Sequence, residues 1–230
     1  MNPIDKQLMM GMIDILNNHS DILTKDQINI RLEDLKQFEE ESNFAFINSP
    51  TYKDKISSIV KYNSNIYKNN FNKCHEVNNI IEFSNQKDML VYLNIVGENI
   101  TITYINGIID HLIIDNALIN LNEVKNIPYK ISKKSTYIIN GVLHNSTFYV
   151  INVDDNNVNL KDSLDKAKEI GFDIIPHWLA TNFDPKNLQS NLEYVYDYAE
   201  EEGFKYDGIV FRFNDISYSQ DGIVYEMLNK

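Results

Sequence analysis

The chain has 230 residues, 43% hydrophobic and 11% aromatic, enough to bury a real core in one domain, with or without a small helical appendage. A net charge of -12 argues against autonomous nucleic-acid binding, because non-specific affinity for phosphate comes mainly from Lys and Arg. No apolar run approaches the roughly 20 residues that span a bilayer, and the acids in MNPIDKQLMMGMID exclude a signal-peptide reading. A lone cysteine, Cys74, cannot form an internal disulfide and fits a reducing, cytoplasmic setting. The abundance of Asn and Ile suggests AT-rich coding, as in a low-GC bacterium or its phage.

Helical spacing opens the chain. Leu8, Met12, Ile15 and Leu16 share a face between Gln7 and Leu16. Thr24 with Gln27 three residues on has the spacing of a capping box, and the following helix places Ile28, Leu32, Leu35 and Phe38 on one side. The Glu-rich run Glu33 to Glu41 reads as a solvated helix face. Ser49-Pro50 reads as another helix entry, with Pro50 in the first turn.

From Met89 the period changes to two. Leu90 to Ile95 is expected to be a strand. Ile100, Ile102 and Tyr104 alternate with Thr101 and Thr103 in the next. Asn106-Gly107 predicts a type I′ hairpin, since both residues tolerate positive φ, and Gly107 to Asp115 returns. Tyr137 to Leu143 and Phe148 to Val153 are further strands. A helix over Leu160 to Ile170 stops at Gly171, and a strand, Phe172 to Pro176, follows. A second helix, Leu188 to Glu202, stops at Gly203, and Gly208 to Phe213 is a strongly apolar strand. The class is α+β with a mainly antiparallel sheet. No segment reads as a repeat or a flexible linker.

Three stretches, in order, resemble one family. Asp88 to Gly107 is similar to the strand that carries KxDG and the strand ending Y-x-N-G. Leu164 to Pro176 is similar to a helix and strand of the form L-x-x-L-G-F-x-V. Gly203 to Asp215 resembles D-G-[VI]-V-x-K followed by N-D. Together with Leu32 to Thr51, they resemble the bacterial NAD-dependent DNA ligases: a helical N-terminal module, residues 1–62, and a shortened adenylation (nucleotidyltransferase) domain, residues 63–230. The resemblance implies that fold.

It also implies lost chemistry. Asn94 stands where the family has its nucleophilic lysine, and an amide nitrogen is not nucleophilic. Lys87, seven residues earlier and about 23 Å away along extended chain, is too far to replace it. Val96 stands at the motif's aspartate, and Asn140-Gly141-Val142 stands at R-G-E without the carboxylate. The R-G-D-G loop has no counterpart in Asp110 to Asn116. Arg212 stands at a lysine. Lys25, Ile28 and Asn29, with Ile15 and Leu16 upstream, replace the family's nicotinamide-mononucleotide contacts. The chain stops at Lys230, before the last lysine motif and the remaining ligase domains. Gly97, Asp207, Gly208 and Arg212 are the remnants a nucleotide site would use, although Asp207-Gly208 also suits a turn into a central strand.

The expected function is therefore a catalytically inactive ligase-like protein that binds a partner protein, in DNA replication or repair or at a phage–host interface. No catalytic residue, metal or resident cofactor is expected. The rivals are a non-catalytic binder of NAD or AMP and a subunit of a split ligase. His111, His144 and His177 read as surface or satisfied structural histidines, Tyr104 as core, and Cys74 as an inert thiol. Trp178 reads as buried, or as an anchor for a partner.

Overall fold

The computed structural model describes residues 3–62, 71–115, 123–132, 134–154, 159–181, 183–218 and 222–226. The boundary expected at 62/63 and Asn116 of the expected loop position touch or fall outside these residues. Helix α1 spans Pro3–Asn18, α2 Lys25–Ser42, α3 Lys53–Ile59, α4 Val77–Ser84, α5 Leu160–Ile170 and α6 Pro185–Glu201. The strands are β1 Ala45–Phe46, β2 Val60–Tyr62, β3 Asn72–Cys74, β4 Met89–Ile95, β5 Glu98–Ile105, β6 Ile108–Ile114, β7 Pro128–Lys130, β8 Tyr137–His144, β9 Thr147–Asp154, β10 Asp173–Ile174, β11 His177–Ala180, β12 Tyr206–Phe213 and β13 Gly222–Tyr225.

Local chemistry sets the helix ends. Thr24 and Gln27 form the reciprocal capping box at the start of α2. Asn159 caps α5 through the Asp162 N–H, and Gly171 ends it at φ +117°. Asp184 caps α6 through two backbone N–H groups, with Pro185 in the first turn. The helix expected to begin at Ser49-Pro50 starts only at Lys53; Pro50 instead lies in the turn that carries the chain off β1.

Among the described residues the strands form two sheets. The first has the order β1-β7-β6-β5-β8-β9-β10, with β2 alongside β6; the second runs β11-β4-β12-β13-β3. Most neighbours are antiparallel; β2–β6, β9–β10 and β3–β13 are parallel. Asn106 and Gly107 both take positive φ between β5 and β6, the I′ geometry, and Asn145-Ser146 do the same between β8 and β9. Ile100, Ile102 and Tyr104 are fully buried, as their alternation predicts. Tyr104 donates its hydroxyl to the Pro128 carbonyl and packs edge-on to Phe172.

In the second sheet, Val91, Leu93 and Ile95 of β4 share a face with Phe211, Ile209 and Tyr206 of β12. Helices α4 and α6 cover this face: Phe83 stacks on Phe213, and Tyr196 packs on Tyr206. The strand expected over Phe172 to Pro176 is only Asp173–Ile174, and Trp178 sits half-buried on β11, an edge strand.

One charged side chain departs from the solvated run expected of α2. Glu39 is 1% exposed; the chain between Phe44 and Tyr52 folds over it, and its Oε2 accepts the Thr51 hydroxyl at 2.5 Å. Burial raises its pKa above the ordinary carboxylate value, against the opposing pull of Ser49, Thr51 and Lys130.

Candidate functional site

The site to test is the face of the second sheet opposite α4 and α6, at the end where Asn94 lies. Register puts Leu90 and Tyr92 of β4 on this face with Arg212 and Val210 of β12. At the open end the ladder slips. Ile95 pairs with Tyr206 and Leu93 with Ile209, so Asp207 and Gly208 together oppose the single residue Asn94. This is a β-bulge, and Gly208 takes φ +134° within it. A Cβ there would come 2.7 Å from the Tyr225 carbonyl, so both conformation and space demand glycine. The bulge re-aims Asp207, whose carboxylate accepts a hydrogen bond from the Asn94 amide. Asn94 is half-buried and Asp207 exposed.

Gly97 follows on the crossover from β4 to β5. A Cβ there would lie 2.2 Å from the Leu143 carbonyl and 2.7 Å from Val142 Cγ2. Gly97 therefore lets this crossover rest directly on β8. His144 pins the same junction, with Nδ1 2.8 Å from the Val96 carbonyl and Nε2 3.0 Å from Asn145 Nδ2; it is a satisfied structural histidine. Val96 itself is 51% exposed.

Arg212 is brought to the same face but not to an open pocket. It is fully buried, and its guanidinium lies 5.7 Å from the centre of the Phe71 ring. Gly222, paired with Arg212, makes room for that ring: a Cβ on it would come 2.8 Å from Phe71.

Sequence reasoning missed Phe71 and Lys73. The Lys73 ammonium pairs with Glu226, which pushes its pKa above the ordinary lysine range, and Asp207 contributes to the same field. An amine held protonated in this way is a poor nucleophile.

The first sheet adds polar pairs from β5, β6 and β8. Thr101 donates to Asn140 at 2.7 Å, fixing the first residue of the segment expected at R-G-E. Thr103 Oγ1 lies 3.1 Å from His111 Nε2, and His111 Nδ1 lies 2.8 Å from Asp110. Gly141 is crowded, with the Tyr149 carbonyl 2.3 Å from its would-be Cβ. Strand register could have signalled these pairs only once β5, β6 and β8 were aligned.

Cavities lie elsewhere among the described residues. One, of about 510 Å³, is lined in part by α1; another, of about 370 Å³, includes Lys87, Asp88, Phe213 and Asp215. Neither is lined by Asn94, Gly97, Asp207 or Arg212. The ammonium of Lys87 sits 3.5 Å from the centre of the Tyr218 ring, turned to the second cavity rather than to Asn94. No group of three metal-ligating side chains occurs among the described residues, and no described helix is long and apolar enough to cross a membrane.

No family model matches the chain. It is similar to a DNA ligase of Lachnoclostridium phytofermentans, 24% identical over 245 aligned positions that cover 82% of this chain. The chain spans only 37% of that ligase's length. Among solved structures, an apo RNA ligase variant of Naegleria gruberi aligns with a TM-score of 0.38 at 12% identity, over 70% of this chain and 57% of that one. The same organism's RNA ligase with pyrophosphate aligns with a TM-score of 0.36 at 11% identity, over 66% of this chain and 54% of the other.

Proposed function

We propose that the chain is a non-catalytic relative of the NAD-dependent DNA ligases, which keeps an adenylation-type fold and works by binding a partner protein. The similarity to a DNA ligase over most of the chain and the order of its ligase-like motifs support the lineage.

One observation carries the loss of chemistry. Asn94, at the position of the family's lysine, offers an amide whose nitrogen is already engaged by Asp207. The surroundings agree: Lys73 is tied to Glu226, and Arg212 lies under Phe71. The partner reading is supported by apolar side chains left bare on the N-terminal helices. Ile4 is 75% exposed and Leu8, one turn on, 56%.

The test is to incubate the folded chain with NAD and magnesium and measure its intact mass. The expected result is no gain. A stable gain of one adenylate would overturn the reading and bring forward the split-ligase subunit. Thermal unfolding with AMP or NAD examines the nucleotide-binder rival: a ligand at 100 times its Kd adds about 2.7 kcal/mol, whereas the partner-protein reading expects no shift.

A further inference from the structure

On the first sheet, Thr103, His111 and Asp110 form a hydrogen-bonded chain on the face of β5 and β6 opposite Ile102 and Tyr104. Thr103 pairs with His111 across the ladder, and its Oγ1 lies 3.1 Å from His111 Nε2. Successive residues of a strand, such as Asp110 and His111, ordinarily point to opposite faces. Here they do not. Thr103 pairs with His111 and Tyr104 with Ile109, so Asp110 is the extra residue of a β-bulge. Its carboxylate thereby reaches His111 Nδ1, at 2.8 Å.

A hydroxyl, an imidazole and a carboxylate in this order are the parts of an activated nucleophile. The carboxylate holds the ring proton on Nδ1, which leaves the Nε2 lone pair facing the Thr103 O–H. The His111 and Asp110 side chains are 25% and 50% exposed. Thr103 is 9% exposed, and because β6 and β8 close its backbone on both sides, that surface is side chain. Apolar groups adjoin it on the same face. Ile138 of β8 pairs with Thr103, and Ile105, two residues along β5, pairs with Ile108. These three isoleucines are 36%, 44% and 45% exposed. One exposed isoleucine is ordinary, but three beside a hydroxyl–imidazole pair form a shelf for an acyl chain. The negative charge of Asp110 disfavours an anionic phosphoryl group in the same place.

We propose that Thr103 is an acyl acceptor for carboxylic esters with a short apolar acyl chain, with His111 as its base and Asp110 positioning the imidazole. The Thr103 oxygen bonds to the ester carbonyl carbon as its proton passes to His111 Nε2. The bond to the leaving oxygen then breaks, and that oxygen takes the proton. The products are an acyl-Thr103 ester and a free alcohol; water, with the same imidazole as base, hydrolyses the ester and restores the chain. The site lies on a different sheet from Asn94 and is independent of adenylation.

Incubation of the whole chain with p-nitrophenyl butyrate tests it. One butyryl group is expected, located on Thr103 by peptide fragmentation. Thr103→Val, of nearly the same shape, should lose the label with the circular-dichroism signal retained, and Thr103→Ser should keep it. His111→Gln should slow labelling about 100-fold. Asp110→Asn should lose part of the rate and Asp110→Glu regain it; an Asp110→Asn rate equal to the parent's would strike Asp110 from the assignment. The butyrate ester should outpace the acetate ester once each is scaled to its rate with free imidazole. No butyryl group on Thr103 of the folded, unmodified chain would overturn the proposal, as would labelling unaffected by His111→Gln. Equal scaled rates for the two esters would overturn the apolar-acyl assignment.

Discussion

Two glycine-to-alanine substitutions should move stability in opposite directions, for reasons visible in the packing. At Gly97 the added methyl would sit 2.2 Å from the Leu143 carbonyl oxygen and 2.7 Å from Val142 Cγ2. Normal contact is about a further ångström away, and the first obstacle is backbone in the middle of a sheet, which cannot rotate aside. Overpacking of this kind costs roughly 1–3 kcal/mol, and a backbone obstacle argues for the upper end. For a chain of this size about 3 kcal/mol lowers Tm by roughly 6–12 °C. At Gly11 the methyl meets nothing, so Gly11→Ala should gain about 0.5–1 kcal/mol from helix propensity and raise Tm by roughly 1–4 °C. Urea and thermal unfolding of both variants beside the parent chain give the signs directly. A Gly97→Ala variant within about 0.5 kcal/mol of the parent would refute the close approach of the crossover to β8. It would also restore Gly97 as a candidate kept for a ligand rather than for packing.

Further outcomes are expected at three other residues. Glu39 has its pKa raised by burial, so the native state holds this proton more tightly than the unfolded chain. Its contribution to stability should therefore fall as pH rises from the ordinary value of 4.5 through the raised native value. Glu39→Gln should flatten urea-derived stability across that window and match or exceed the parent at neutral pH; an unchanged slope would remove Glu39 as its source. Cys74 is buried, and its thiol pKa is pushed up to about 11, first by burial and then by Glu226. Disulfide-exchange reagents at pH 8 should thus label it slowly in the native chain and quickly in urea; fast native labelling would contradict the burial. Asn94→Lys returns an amine beside Asp207 at a partly exposed position, so stability should change by less than about 1 kcal/mol. Intact mass after incubation with NAD and magnesium should still show no adenylate, because Val142 supplies no carboxylate.

Elements with a strong local signal could be read directly. The helix Leu160–Ile170 has the expected bounds because Asn159 and Gly171 mark both ends chemically. The strands β4, β5, β8 and β9 followed from period-two runs. What escaped was short or decided by distant chain. β3, β11 and β13 are three or four residues long and gain strand character only from their neighbours in the second sheet. Glu39 read as solvated because its burial comes from the Phe44–Tyr52 segment, which helix periodicity does not describe. The Asn94–Asp207 pair joins residues 113 positions apart through a bulge. The sequence pointed to both residues, but neither spacing nor composition places them in contact. Phe71, whose ring lies beside the Arg212 guanidinium, carries no local signal.

The arrangement of the second sheet explains how chemistry and fold can part company. Val91, Leu93, Ile209 and Phe211 on one face and Leu90, Tyr92 and Val210 on the other are all fully buried or nearly so. At roughly 1.5–3 kcal/mol for each fully buried side chain, substitutions there would threaten folding itself. Asn94 and Asp207 lie at the open end of the other face, where one side chain is half-buried and the other exposed. Exchange of a lysine for an asparagine at such a position changes stability little, since a partly exposed charge pair is worth at most about 1 kcal/mol. The constraint on the reactive position is therefore chemical rather than structural. Gly97 and Gly208 belong to the opposite class, because close backbone contacts hold them as glycine whatever residue stands at position 94. On the proposed function, a chain released from the need to adenylate would be free to exchange a lysine for Asn94 while Gly97 and Gly208 stayed fixed by their backbone contacts.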